Sequence, residues 1–282
     1  MDLRAVTDLA RLKASVIVGM TVILGVVIII KEIPRLDQII FGFGVGFVLS
    51  ASTNTINDIL DYDLDRIEKP ERPLPRGDIT IKQALYIFGL ETVIALFFGL
   101  MLTLHAFLLT VFVAFISVLY SLRLKNYLAF KNTLTAFGVA SAFLVGALST
   151  NKELPITIVL FFLQIFITVV AFEIHKDIAD TEGDAELGKI TVATRFGKRP
   201  AAIIAIILYF GAFFLFQGIL INSTSAIIIL LWIVNIIGTI CGLIFLFPIL
   251  KDQDVVTIHR SRKRIMGLLG IFVIAAIASF LG

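Results

Sequence analysis

The sequence predicts an all-α integral membrane protein with about nine transmembrane helices in one bundle around a central cavity, capped by cytoplasmic loops. Apolar residues make up 59% of the 282-residue chain, where a soluble domain carries roughly 45–50%. Charged residues are 16%, against about 25% in soluble proteins. The apolar residues also gather into runs near the length of about 20 needed to cross a bilayer. A globule of this size has too little interior to hide them, so they must face lipid.

Nine apolar segments follow in order. Segment 14–30 comes after a charged stretch (Arg4, Arg11, Lys13) but lacks a small-residue cleavage site, so it reads as a helix and not as a signal peptide. Segment 39–57 carries Gly42, Gly44 and Gly46, which point to close helix packing; no strand precedes them, so they are not a nucleotide loop. Segment 84–104 contains Glu91, an intramembrane carboxylate. Segments 106–122, which follows His105 in a short turn, 133–150 and 155–173 come next. Segments 200–221, 225–249 and 265–281 close the chain. Gln164, Gln217 and Asn235 suit interhelical hydrogen bonds. Cys241 is the sole cysteine, which excludes an internal disulfide. We expect one polytopic domain over 1–282, with a possible division into two four-helix halves plus a ninth helix.

Charge sets the orientation. Of the 24 Lys and Arg, 21 fall on one side: the N-terminus, 58–83, 123–132, 174–199 and 250–264. By the positive-inside rule these are cytoplasmic and the C-terminus is outside. Acidic residues share the bias, which that rule does not require. Counting Glu173, 17 of the 21 Asp and Glu lie on the same side, 13 of them in 58–83 and 173–199. The two loops sit about 116 residues apart, measured from Asp61 to Asp177, which hints at related halves.

The first acidic cluster holds Asn57, Asp58, Asp61, Asp63 and Asp65. If the second helix runs through it, each step of four residues turns only about 40°. Asn57, Asp61 and Asp65 then share one face, with Asn54 a turn earlier and Asp58 at the edge. In the second cluster Glu173, Asp177, Asp180 and Asp184 form one stripe, with His175 off it. Aligned acids repel unless a cation lies between them. Oxygen ligands without His or Cys suit a hard cation, so Mg²⁺ is preferred over Zn²⁺. Mg²⁺ is held by one or two carboxylates plus phosphate oxygens, so two facing clusters suggest two Mg²⁺ ions clamping a diphosphate. The metal-binding candidates are Asn57, Asp58, Asp61, Asp65, Asp177, Asp180 and Asp184. Asp61, Asp65, Asp180, Asp184 and Lys125 are the candidates for catalysis. The arrangement leaves excess negative charge, which nearby cations must offset. Arg66, Lys69, Arg72, Lys125 and Lys176 are the diphosphate-binding candidates, with Arg76, Lys131 and Arg195 also in reach. Lys125 stands out because its short loop lacks acids.

These residues resemble the UbiA superfamily of intramembrane prenyltransferases. Asn57, Asp58, Asp61 and Asp65 match that family's NDxxDxxxD signature, and Lys69-Pro70-Glu71-Arg72-Pro73-Leu74-Pro75-Arg76-Gly77 looks like its KPxRPxPxG loop. Asp180 and Asp184 match its DxxxD signature, with Glu173 seven residues upstream where the family often has Asp. Gly188-Lys189-Ile190-Thr191 is similar to the stretch that follows. Tyr120 to Lys125, with Asn132 shortly after, resembles the middle-loop motif. One departure is Ala14, where the family commonly has Asn after an Arg-Leu-Lys such as Arg11-Leu12-Lys13.

The resemblance implies Mg²⁺-dependent transfer of a prenyl group from an allylic diphosphate to an acceptor. It also implies metal-binding motif residues and diphosphate-binding basic residues. Arg11, Asn54, Asn132 and Glu173 are candidates for the acceptor site or cavity. The Lys-Pro-Glu-Arg-Pro-Leu-Pro run and the second acidic segment look most like the archaeal ether-lipid branch, which adds a geranylgeranyl group to geranylgeranylglyceryl phosphate. Aromatic acceptors of quinone biosynthesis, hydroxybenzoate or naphthoate, are the alternative. The expected partners are membrane lipids, the prenyl diphosphate and the acceptor, with no nucleic acid and no obligate protein partner. Among rival classes, a cation transporter would place its acids near mid-membrane, whereas these crowd one interface. The Asp-Gly and Ala-Arg elements of a CDP-alcohol phosphotransferase are absent from the acidic regions.

Overall fold

The computed structural model describes residues 3–122, 128–186, 188–221 and 228–281. All regular structure among them is helical. Long helices fall on each expected segment: α2 (Leu12–Ile30), α3 (Leu36–Leu60), α6 (Ile81–Leu102), α7 (Leu104–Leu122), α8 (Leu128–Leu148), α9 (Ile156–Ala179), α12 (Lys198–Ile221), α13 (Ile228–Leu246) and α15 (Val255–Leu281). Short helices connect them: α1 (Leu3–Leu9), α4 (Tyr62–Glu68), α5 (Pro73–Arg76), α10 (Thr181–Glu186), α11 (Val192–Phe196) and α14 (Pro248–Lys251). Helices α2, α3, α6, α7, α8, α9 and α12 are long and apolar enough to cross a membrane, seven among the described residues. The chain is a multi-pass membrane protein.

Three segments end differently from the sequence expectation. Helix α9 runs to Ala179 and α15 begins at Val255, so both extend through polar residues placed in loops above. Hydropathy ends where charge begins, but the backbone hydrogen-bond ladder does not. The eighth segment closes at Leu246, and a separate turn, α14, opens on Pro248, which cannot donate to the preceding turn.

The chain divides into two compact units: Met1–Lys125 with Ser141–Glu153, and Asn126–Ala140 with Leu154–Gly282. In the first, α3 packs against α2, α6 and α7. Small residues let the backbones meet, as in membrane helix pairs generally. A Cβ on Gly146 would lie 1.9 Å from the Val22 carbonyl oxygen, and one on Gly25 2.1 Å from that of Phe143. Gly46 abuts Gly19 and Val22, so the glycine run of α3 packs closely as expected. At the polar end, Ala5, Leu9, Leu74, Ile79 and Ala84 form a buried cluster that fixes α1 and α5 beside the end of α3. In the second unit α9 packs against α12 and α15, and α13 against α15. His175 is fully buried on α9, its Nε2 2.8 Å from Ser261 Oγ on α15 and its Nδ1 3.4 Å from Tyr209 Oη on α12.

Candidate functional site in two acidic helix ends

Each acidic segment is a long helix that breaks at one aspartate and restarts. Helix α3 ends at Leu60, Asp61 takes φ −97° and ψ 9°, and α4 begins at Tyr62. Helix α9 ends at Ala179, Asp180 takes φ −90° and ψ 4°, and α10 begins at Thr181. Both aspartates occupy the sparsely allowed bridge region, where many active-site residues sit. The backbone hydrogen bonds continue across each bend: Asp65 N–H donates to the Asp61 carbonyl at 2.7 Å, and Asp184 N–H to the Asp180 carbonyl at 2.8 Å. The continuous helix assumed from the sequence is therefore corrected to a helix with a one-residue bend. The bend falls on the same motif position in both segments.

The side chains repeat the pattern. In the first segment Asp58 and Asp65, seven residues apart, are 3% and 1% exposed. Arg72 bridges them, donating to Asp58 Oδ1 at 2.9 Å and to Asp65 Oδ2. Arg11 also donates to Asp58 Oδ1, at 2.5 Å, and to Asn54 Oδ1 at 3.1 Å, while Lys69 Nζ stands 3.6 Å from Asp65. Arg11 joins α1 to α2 in the left-handed region (φ 47°), a conformation that costs a non-glycine residue about 1–2 kcal/mol. Asp58 and Asn54 hold its side chain.

In the second segment Asp177 and Asp184, again seven apart, are both buried. Lys131 bridges them, 2.8 Å from Asp177 Oδ1 and 3.7 Å from Asp184 Oδ2. Asn132 Nδ2 donates to Asp177 Oδ2 at 3.0 Å, and Lys189 Nζ stands 3.5 Å from Asp184. The matching positions, Asp58 with Asp177, Asp61 with Asp180 and Asp65 with Asp184, are offset by 119 residues. This replaces the estimate of 116, which paired Asp61 with the wrong partner.

The seven metal-binding candidates thus sort into two kinds. Asp58, Asp65, Asp177 and Asp184 are buried and face internal cations. Asn57 and Asp61 are half-buried, and Asp180 is exposed. Among the basic candidates, Arg66 lies over the Tyr62 ring, Lys176 stands 3.6 Å from Glu173, Arg76 pairs with Asp78, and Arg195 lies over Phe196. Lys125 lies outside the described residues. Glu182, off the acidic stripe, accepts from Lys198 Nζ at 2.8 Å, which holds its carboxyl below the usual glutamate value.

The donor set is oxygen-only, which fits a hard cation. Asp184 Oδ2 and Asn132 Oδ1 are buried oxygens that receive no hydrogen bond, an unmet demand a cation or its water would fill. Among the described residues no three His, Cys, Asp or Glu side chains form a ready-made metal cage. Mg²⁺ held jointly by protein and phosphate oxygens needs none.

Lys131 is the residue that sequence reasoning undervalued. Aligning the two acidic segments position by position shows Asp177 and Asp184 lacking the Arg72 that serves Asp58 and Asp65. That gap calls for a cation from elsewhere in the chain.

Comparison with known proteins agrees with this fold. The digeranylgeranylglyceryl phosphate synthase of Thermococcus kodakarensis is 32% identical over 289 residues, spanning 100% of this chain and 98% of that one. A solved structure of digeranylgeranylglyceryl phosphate synthase in membranes matches with a TM-score of 0.81 at 26% identity, covering 99% of this chain and 98% of that one. A UbiA homolog from Archaeoglobus fulgidus bound to GPP and Mg²⁺ shares the fold, with a TM-score of 0.74 at 20% identity over 98% and 99% of the two chains. The model of the UbiA prenyltransferase family matches residues 18–278, and the chain belongs to that family.

Proposed function

We propose that this protein transfers a geranylgeranyl group from its diphosphate to geranylgeranylglyceryl phosphate, with Mg²⁺, as a step in ether-lipid synthesis. The observation that carries the reading is the repeated acidic helix end, with its bend at Asp61 and Asp180 and its cation bridging the flanking aspartates. Relatives about 30% identical, which are digeranylgeranylglyceryl phosphate synthases, suggest the acceptor class.

Asn57 and Asp61 in the first segment would hold Mg²⁺, and Asp180 would do so in the second. Bound Mg²⁺ would neutralise the leaving diphosphate and so favour breaking the allylic C–O bond. Arg72, Lys69, Lys176 and Lys125 bind the diphosphate oxygens as its charge develops. Asp58 and Asp65 orient Arg72 and Lys69 through buried ion pairs, and Asp177 and Asp184 hold Lys131 and Lys189 in the same way. The acceptor hydroxyl oxygen then forms the new C–O bond at the allylic carbon that the diphosphate has left, and its proton passes to the released diphosphate or to water. Phenylalanines, 25 in the chain, supply ring faces that stabilise an allylic cation without attacking it. Both acidic ends and the N-terminus face the cytoplasm, with the C-terminus outside.

The test is an acceptor panel with purified protein, labelled geranylgeranyl diphosphate and Mg²⁺. Product with geranylgeranylglyceryl phosphate, lost on chelation and absent with hydroxybenzoate or naphthoate, is the expected result. Product with the aromatic acceptors alone would overturn the assignment.

A further inference from the structure

Helix α15 buries one stripe, Ile258, Ser261, Ile265 and Leu268, and Ser261 meets His175 of α9 there. Beside the stripe, His259, Arg262, Lys263, Met266 and Gly270 share about 100° of arc. All of them but Arg262 are exposed. Arg262 is half-buried, and its guanidinium lies over the Phe172 ring of α9, 4.5 Å from the centroid. Stacking engages the face of a guanidinium, while its N–H donors point outward in the plane. The Nε donor of Arg262 is buried and has no hydrogen-bond partner. Among the described residues no carboxylate pairs with Arg262 or Lys263. Glu173, next to Phe172 on α9, stands 3.6 Å from Lys176 instead. Arg72 and Lys131 each face two aspartates; Arg262 faces none, and a half-buried cation with an unmet donor asks for an anion.

That anion is not the diphosphate. On α9, Phe172 lies about 140° around the helix from Asp177, and His175 about 160°. Arg262 therefore meets the side of α9 turned away from the acidic stripe. Along α15 the flank then changes character. His259, Arg262 and Lys263 stand at the polar end, level with the acidic end of α9, and Met266 and Gly270 follow one and two turns further into the apolar half of the helix. A Cβ on Gly270 would meet nothing within 4 Å. A soluble anion has no use for that open apolar surface, whereas a lipid needs both parts. The flank also carries no carboxylate to receive a choline or ethanolamine ammonium, which favours a head with net negative charge.

We propose that this flank of α15, beside Phe172 of α9, binds one anionic glycerophospholipid of the bilayer. Arg262 takes the headgroup phosphate through its in-plane N–H donors, Lys263 adds a second positive charge, and the hydrocarbon chain lies along Met266 and Gly270. Basic sites beside membrane helices hold anionic headgroups in this way. The bound lipid meets the unmet donor of Arg262 and so reinforces the packing of α15 on α9.

The test needs no turnover. Delipidated full-length protein in neutral detergent is titrated with phosphatidylglycerol, and binding is followed by native mass spectrometry and by the melting temperature. The expected result is one retained phosphatidylglycerol and a raised melting temperature, with neither effect from phosphatidylcholine or diacylglycerol. Arg262→Gln should weaken binding about tenfold and Lys263→Gln about fivefold. Arg264→Gln, whose guanidinium lies over Phe245 on the other flank, should leave binding unchanged. Equal retention by wild type and Arg262→Gln, or equal binding of phosphatidylcholine, overturns the proposal. Displacement of the lipid by excess inorganic phosphate would show a site for free anions and overturn it as well. Should Arg262→Gln fail to fold, Lys263→Gln decides, because that side chain is exposed; unchanged binding there counts against the site.

Discussion

Replacing Lys131 with Met removes the sole cation within ion-pair distance of Asp177 among the described residues. Asp177 is fully buried, and its remaining partner is the Asn132 amide at 3.0 Å. Removing one member of a buried ion pair costs about 3–5 kcal/mol, because the other charge stays behind unpaired. The amide offsets about 1 kcal/mol of that, which leaves a loss of roughly 2–4 kcal/mol. Arg72→Met is the matched control in the other segment. There Asp58 keeps Arg11 at 2.5 Å and Asp65 keeps Lys69 at 3.6 Å, so the loss falls to about 1–2 kcal/mol. Thermal unfolding in detergent, followed by size-exclusion recovery after heating, should rank wild type above Arg72→Met and Arg72→Met above Lys131→Met. Adding Asp177→Asn to Lys131→Met removes the stranded charge and should recover at least half of the lost stability, a coupling that the double-mutant cycle reads directly. If Lys131→Met melts with the wild type, or Asp177→Asn brings no recovery, the bridging-cation argument is wrong.

Other outcomes follow from the same geometry. Asp61→Ala or Asp180→Ala should abolish prenyl transfer while the melting temperature stays within a few degrees of wild type, and wild-type turnover in either would remove that residue from the metal site. Gly146→Leu should prevent recovery of a monodisperse protein, because a side chain there meets the Val22 carbonyl; normal yield and melting would show that the contact can open. Ser261→Ala should cost about 1 kcal/mol by taking one hydrogen bond from buried His175. His175→Ala should cost about 2–4 kcal/mol, because it adds a cavity and takes the hydrogen-bond partner from the buried Tyr209 hydroxyl. Equal melting of those two variants would mean that the His175 contacts do not hold α9, α12 and α15 together.

Much of this architecture is legible in the amino-acid order because membrane spans are dictated by hydropathy over windows of about 20 residues. Every expected segment carries a helix. What hydropathy misses is where a helix continues into charge. Residues 174–179 read as loop because they are polar, yet they extend α9 and place Asp177 on a buried face. The acidic spacing identified the right residue types but assumed an unbroken helix. No propensity difference marks Asp61 or Asp180 as the point of bending, since Asp58 and Asp177 are chemically the same. The bridging cations were legible in part. Arg72 lies seven residues from Asp65, within the same segment, whereas Lys131 reaches Asp177 from 46 residues away, and only folding reveals it. The left-handed backbone at Arg11 has no local signal either, because its cause is the pair of acceptors on α3.

The internal cations bear on how the chain survives before it ever meets a divalent ion. Zinc fingers collapse when stripped of their metal because their ligand set has no other source of positive charge. Here guanidinium and ammonium groups already neutralise the most deeply placed carboxylates, so a newly synthesised copy can enter the bilayer and fold while magnesium is scarce. Chelation should then silence the protein without dismantling it, and returning the ion should restore it with no refolding step.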